Sequence, residues 1–292
     1  MNKQQYICLN GLKIKADEPV ISASNRAFRY GDAIFETIRC IQQEALFFED
    51  HYRRLLNAMA QLKMNCHSLP PLDVLNSQIS SLISKNRIFG DARIRLTVFR
   101  EDGGLYTPEG NNTNYLIEAT PLNTNNYTLN SKGILLDVYK EDKKPTTRFS
   151  RFKSANSLLF VMAGLYKKEQ NLDDVLIVND QNLIIESLAS NLYWIKDQVV
   201  YTPSRTSGCV EGIMRAQLIE IMKQADWQVQ EVAGASLDEL LAADELFLSN
   251  AIQGIQWVVG IQQKRYFCQL SKKLNLLLNE HVTNYLMDSQ GN

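Results

Sequence analysis

Between Pro121 and Lys132 the sequence loses its apolar periodicity and turns rich in Asn, Thr and Ser, which divides the chain in two. Strand-like and helix-like patterns run on both sides of this break. A chain of 292 residues buries a large core, and two lobes are expected. They are residues 1–120, a linker at 121–132, and residues 133–292.

In the first lobe Asn10-Gly11 separates the short runs Tyr6 to Leu9 and Lys13 to Lys15, the two-residue signal of a hairpin. Ala33 to Cys40 reads as a further strand, approached through Tyr30-Gly31-Asp32. Asp50 to Lys63 sets Leu55, Met59 and Leu62 at helical spacing, and Leu72 to Lys85 follows Pro70-Pro71 as a second helix. Arg93 to Phe99 and Tyr115 to Ala119 return to strand. The second lobe interleaves the two kinds of element. A strand is expected at Ile134 to Tyr139, then a helix with Leu158, Val161, Met162 and Leu165 on one face. Hairpins pair Val175–Val178 with Leu183–Ile185, and Leu192–Ile195 with Val199–Tyr201. A helix from Gly212 to Ala225, a strand from Glu245 to Leu248 and a helix from Leu270 to Met287 complete the lobe. The expected class is α/β (α+β), with a smaller N-terminal domain and a larger C-terminal one.

Thirty-one basic residues against thirty-two acidic leave a net charge of -1, so no global field recruits nucleic acid or an anionic membrane. The five cysteines are scattered, odd in number and form no C-x-x-C pair, which reads as reduced thiols of a cytoplasmic protein. His51, His67 and His281 lie in unrelated contexts, and no metal site is expected. Met1 to Ile7 has no signal-like apolar run, and no segment has the length of a membrane span.

Chemistry is concentrated at a few positions. Lys153 sits in Arg151-Phe-Lys153-Ser-Ala-Asn156, where a short arginine-rich strand is expected to hand over to an amphipathic helix. Arg148 and Arg151, with apolar Phe149 and Phe152, disfavour an ammonium there and favour the neutral amine that a Schiff base needs. Glu186 ends the apolar run Leu183-Ile-Ile185, where a carboxylate is costly unless paired; a pyridinium N–H is one such partner. Gly212-Ile213-Met214 opens a helix, whose free N–H groups bind phosphate. Arg54, on the first helix, has the fork to grip a phosphate bidentately, and Asn250-Ala251 makes a small turn after a strand. Singly, each has an ordinary reading: a solvated lysine, a strand-end glutamate facing water or an arginine, a loop glycine, a surface arginine. An amine, an acid and a helix start form one chemical set, and together they point to pyridoxal phosphate.

Their order is also familiar. The chain resembles the class IV, or fold-type IV, pyridoxal-phosphate enzymes, which include branched-chain aminotransferases, D-amino-acid aminotransferases and aminodeoxychorismate lyases. The resemblance begins at Asn25-Arg-Ala-Phe-Arg-Tyr-Gly-Asp-Ala-Ile-Phe-Glu-Thr-Ile-Arg39 and continues through His51 to Leu55 and the lysine segment. It is most specific over Glu186 to Arg215, with Asn191-Leu-Tyr, Tyr201-Thr-Pro and Gly212-Ile-Met-Arg. Leu188 departs from the small residue usual there. The resemblance implies a two-domain fold with a barrel-like C-terminal domain, an active site between the domains and a homodimer. It implies that Lys153 holds the cofactor and moves protons and that Glu186 binds the pyridine nitrogen. Asn191 would join the cofactor site, with Arg54, Gly212, Ile213, Met214, Asn250 and Ala251 around the phosphate. Tyr30 and Phe35 would line the substrate side, and the substrate carboxylate would fall to Arg100, with Arg26 and Arg148 as further candidates.

Within the family, Asn156 is followed by Ser157 where branched-chain enzymes tend to carry tyrosine, and Arg100-Glu-Asp-Gly-Gly-Leu-Tyr106 lacks the Arg-x-His of D-amino-acid aminotransferases. Phe247-Leu-Ser-Asn-Ala-Ile-Gln-Gly-Ile255 looks most like the lyases, although Leu105 stands where they often carry a second arginine. The expected activity is conversion of 4-amino-4-deoxychorismate to 4-aminobenzoate and pyruvate, a step toward folate. The alternatives are transamination of branched-chain or other amino acids and a catalytically silent binding protein on the same scaffold.

Overall fold

A computed structural model of the chain describes residues 5–124 and 126–290. The start of the N-terminal segment, residues 1–4, and Asn125 within the expected linker lie outside the described residues. The chain divides into two units, Met1–Asn126 with Phe152–Asn156, and Tyr127–Arg151 with Ser157–Asn292.

The first unit is built on a six-stranded sheet in the order β2-β1-β6-β5-β3-β4. Its strands are β1 (Tyr6–Leu9), β2 (Leu12–Lys15), β3 (Ala33–Ile41), β4 (Glu44–Ala45), β5 (Ala92–Arg100) and β6 (Thr113–Pro121), all antiparallel. Asn10-Gly11 makes the expected hairpin turn, with both residues at positive φ. Strand alternation sends Ile34, Ile38, Ile94, Leu96, Val98, Tyr115 and Ile117 to one buried face. Two helices cover that face, α2 (Phe48–Gln61) through Leu55 and Met59 and α3 (Leu72–Lys85) through Leu75, Ile79 and Leu82. Glu49 and Asp50 in the first turn of α2 complement its dipole. A short helix, α1 (Arg26–Tyr30), precedes β3 where the sequence offered too few residues for a helical period. Asn25 caps it through Phe28 N, and Gly31 ends it at φ 65, a left-handed backbone that glycine takes without strain.

The second unit contains a closed barrel. Its strands β7 (Ile134–Lys144), β8 (Asp174–Asn179), β9 (Ile184–Ser187), β10 (Asn191–Lys196), β13 (Glu245–Asn250) and β14 (Gly254–Ile261) form a ring, because β9 pairs both β8 and β10. Closure removes the exposed edges an open sheet would leave. Leu136, Val138, Leu176, Leu192, Trp194, Leu246, Leu248 and Val258 fill one apolar cluster of this unit. Strand β11 (Val199–Pro203) extends from β10 and carries β12 (Val229–Val232), while β15 (Lys264–Arg265) folds back on β14. Helices α4 (Leu158–Glu169), α5 (Ile213–Gln224), α6 (Leu237–Leu241) and α7 (Leu270–Gln290) complete the unit. The mixed α/β class and the barrel-like C-terminal domain expected from the sequence are both present.

Candidate active site

In the first unit, alternation along β3 puts Glu36 on the buried face among isoleucines. A charge there needs partners. Helix α2 supplies them: Arg54 donates from Nε to Oε1 at 2.8 Å and from Nη2 to Oε2 at 2.5 Å, and His51 Nδ1 meets Oε2 at 2.6 Å. Burial alone would raise the Glu36 carboxyl, but Arg54 and His51 outweigh it and bring it down to about 2. Burial likewise lowers the His51 imidazole, further than its bond to Glu36 raises it, so the neutral ring donates from Nδ1.

The other face of this sheet carries Phe35 on β3 and Arg95 and Thr97 on β5. The lysine segment lies along β3 as a short extra strand. Phe35 N donates to Lys153 O at 2.8 Å, Ala155 N donates to Ala33 O at 2.9 Å, and Ser154 bridges Ile34. Lys153 Nζ stands 5.4 Å from the centre of the Phe35 ring, and the Arg95 guanidinium packs on that same ring at 3.6 Å. Lys153, Phe35 and Arg95 therefore form one cluster. Helix α4 begins only at Leu158, so Lys153 is held by strand-like bonds rather than by a helix start. Tyr30 is half-buried against Tyr106 and under the Arg26 guanidinium.

Arg26 and Arg100 have a structural task. Both donate through Nε to Asp32 Oδ2 at 2.9 Å, and both are buried. Arg26 spends Nη1 on the carbonyls of Gly103 and Leu105. Arg100 spends its remaining donors on Asn111 Oδ1 and the carbonyls of Leu62 and Lys63. Arg148 lies against Phe149.

In the second unit, Glu186 is on β9 and 3% exposed. Its Oε1 accepts from Lys144 Nζ at 2.5 Å and its Oε2 from Val210 N at 2.8 Å. Asn191 is its neighbour across the ladder and donates from Nδ2 to Val210 O at 2.8 Å. Two buried side chains thus pin the segment that leads into α5. Gly212 is the N-cap of that helix and has no side chain to cap it, so the first-turn N–H groups of Ile213 and Met214 are placed to take an anion. Arg215 steadies the turn through Pro203 O at 2.7 Å and Glu231 at 2.6 Å. Asn250 folds its own turn, accepting from Ile252 N and Gln253 N and donating to Ser190 Oγ, and Ala251 O accepts from Tyr127 Oη. Glu186, Asn191 and Gly212 to Met214 are brought together in this way, with the Asn250-Ala251 turn one strand away on β13.

Glu36, Arg95 and Lys144 were not singled out in the sequence. Parity along β3 and β5 marks the first two. Lys144 gave no signal: it ends the run Lys140-Glu-Asp-Lys-Lys144, which reads as solvated, and a register shift between Tyr139 and Lys144 breaks the alternation that would have turned it inward.

The second unit offers a buried acid and an anion-receptive helix start, and the first unit offers a primary amine. Each is a group that an aromatic phosphate cofactor with a basic ring nitrogen and a carbonyl needs. Comparisons with known proteins agree. Residues 33–261 match the family described as amino-transferase class IV. An aminodeoxychorismate lyase from Vibrio harveyi is 26% identical over 249 residues, 82% of this chain and 87% of that protein. A branched-chain-amino-acid aminotransferase from Salmonella typhimurium is 26% identical over 272 residues, 89% of this chain and 87% of that protein. The crystal structure of Escherichia coli branched-chain amino acid aminotransferase superposes with a TM-score of 0.83 at 25% identity, covering 93% of this chain and 92% of that one.

Proposed function

The chain belongs to the class IV aminotransferase family, and from that premise we propose that it is a pyridoxal-phosphate lyase converting 4-amino-4-deoxychorismate to 4-aminobenzoate and pyruvate. The observation that carries the cofactor reading is the buried Glu186 carboxylate beside the uncapped start of α5. Pyridoxal phosphate, when bound, supplies an electron sink for negative charge developing at the amine-bearing carbon of the substrate.

The chain's own residues divide the work. Glu186 accepts from the ring nitrogen, since a carboxylate has about four acceptor positions and Lys144 and Val210 take one each. The N–H groups of Ile213 and Met214 take the phosphate, assisted by Arg54 and the turn at Asn250-Ala251, and Asn191 keeps the α5 start in register. Lys153 holds the cofactor through its amine. With its amine free, Lys153 would take the proton from the amine-bearing carbon. The C–O bond to the enolpyruvyl group would then break, leaving the substrate ring aromatic, and the proton returned by Lys153 to the departing enolpyruvate would give pyruvate. Tyr30 and Phe35 line the substrate side. We assign a substrate carboxylate to Arg95 rather than Arg100, because Arg95 is only half-buried and shares the Phe35 ring with Lys153.

The lyase is favoured over amino transfer by Ser157 after Asn156 and by Asn250-Ala251. The cysteines of the described chain are free thiols, and no described helix is long and apolar enough to cross a membrane. Both accord with a cytoplasmic enzyme of folate synthesis. Helix α4 exposes Leu158, Val161, Met162 and Leu165 as one stripe, each at 40% or more, which favours a homodimer. The discriminating experiment supplies aminodeoxychorismate with no added 2-oxo acid. Equal amounts of 4-aminobenzoate and pyruvate are expected. Product formed only when a 2-oxo acid is added, without pyruvate, would assign amino transfer instead.

A further inference from the structure

Lys144 has no part in the chemistry above, yet it is 6% exposed and its ammonium sits 2.5 Å from Glu186 Oε1. A lysine is rarely taken out of water to this degree. It bonds directly to the carboxylate assigned to the cofactor's ring nitrogen. We propose that Lys144 is the cationic partner that compensates the buried Glu186 carboxylate before the cofactor arrives, and that it shares that carboxylate with the ring nitrogen afterwards. The inference rests on the reading of Glu186 as the ring-nitrogen partner.

The argument is one of charge accounting in a poorly solvated place. Among its protein partners Glu186 has one N–H, from Val210, and one full positive charge, from Lys144. Removing the lysine leaves a buried carboxylate with a single neutral donor, and an unpaired buried charge is strongly destabilising. A protonated ring nitrogen is a second cation able to relieve that carboxylate. Loss of Lys144 should therefore harm the cofactor-free protein more than the loaded one. By linkage, the cofactor must then bind the variant more tightly. Lys144 is on this account a positioning and charge-compensating residue, and wild-type protein gives up cofactor affinity in return for a stable empty site.

The test is Lys144→Met, with Lys144→Gln as a second variant that keeps a donor for Oε1 but not the charge. Melting temperature with and without pyridoxal phosphate, and cofactor affinity by absorbance titration, are measured for each. The cofactor-induced rise in melting temperature should be larger than in wild type, and affinity should increase roughly ten-fold, the size of one charge-assisted hydrogen bond. Lys144→Arg should return both toward wild type. In a Glu186→Gln background, Lys144→Met should leave cofactor affinity unchanged, because the charge to be compensated is gone. Equal loss of stability with and without cofactor, or weaker binding in both lysine variants, would overturn the proposal and reduce Lys144 to a support for the barrel. If Glu186→Gln alone alters neither affinity nor the cofactor's visible absorption, the assignment of Glu186 to the ring nitrogen fails instead, and the two failures are thereby told apart.

Discussion

Asn191 stands opposite Glu186 in the β9–β10 ladder, and the two hold Val210 from both sides, its carbonyl by Asn191 Nδ2 at 2.8 Å and its N–H by Glu186 Oε2 at 2.8 Å. The acid and the start of α5 are therefore set by one small network. Gly212 is part of it, since a Cβ there would come within 1.9 Å of Asn191 Oδ1. Gly212→Ala should push the Asn191 amide off Val210 and cost about 1–3 kcal/mol of stability, as overpacking does. It should also weaken cofactor binding. Denaturant unfolding and a cofactor titration check the two effects, and an unchanged affinity would remove Asn191 from the cofactor site.

Glu36 gives the fold an acid limit. Its folded carboxyl lies at about 2 against an ordinary 4.5, so its stabilisation is complete above 4.5 and is lost as pH falls toward 2. The shift corresponds to roughly 3 kcal/mol. His51 acts in the same direction: its folded value lies below the ordinary 6.5, so stability starts to fall as pH drops below 6.5. Glu36→Gln should cost about 3–5 kcal/mol at neutral pH, because Arg54 stays buried without its carboxylate. The gap between variant and wild type should close toward pH 2, read by urea unfolding across pH.

Arg95 and Arg100 make a paired test of substrate recognition. Arg95→Gln should raise KM with kcat little changed, the mark of binding lost equally from substrate and transition state. Arg100→Gln should act on stability instead, since it breaks the bonds to Asp32, Asn111 and Leu62. Steady-state kinetics beside thermal unfolding separates them. A KM effect from Arg100→Gln in a fully folded protein would return the carboxylate to Arg100.

Much of this architecture was legible in the sequence. Asn10-Gly11 marked a hairpin, and the spacing of Leu55, Met59 and Leu62 marked a helix, because local chemistry decides both. Barrel closure was not legible from pattern, because the pairing of β9 with β10 rests on one short register, Asn191 with Glu186. Strand β14 was missed although its residues are mostly apolar, since Gly254 and Gly260 interrupt the pattern that marks a strand. Residue types put Lys153, Glu186 and Gly212 forward as candidates, but not the partners that hold each of them. Arg100 looked available because sequence shows a charge and not its partners, and the shared bond to Asp32 comes from a residue far away in the chain.

The stripe on α4 predicts the state of assembly. Val161 and Leu165 point away from Ala163, the residue by which this helix is buried, so aspartate at both should leave the core intact. Val161→Asp with Leu165→Asp is expected to shift a dimer to monomer in sedimentation velocity while the far-ultraviolet spectrum is preserved. A dimer that persists in the double variant would move the interface elsewhere.

The central claim is that Lys153 carries the reaction of a lyase. Its most direct test is pyruvate release from aminodeoxychorismate by the cofactor-loaded protein, beside Lys153→Ala loaded in the same way. Lysine-dependent release, absent in the variant, is the predicted result. Release at a near-normal rate from Lys153→Ala, or none from a wild-type protein that carries its cofactor, would contradict it.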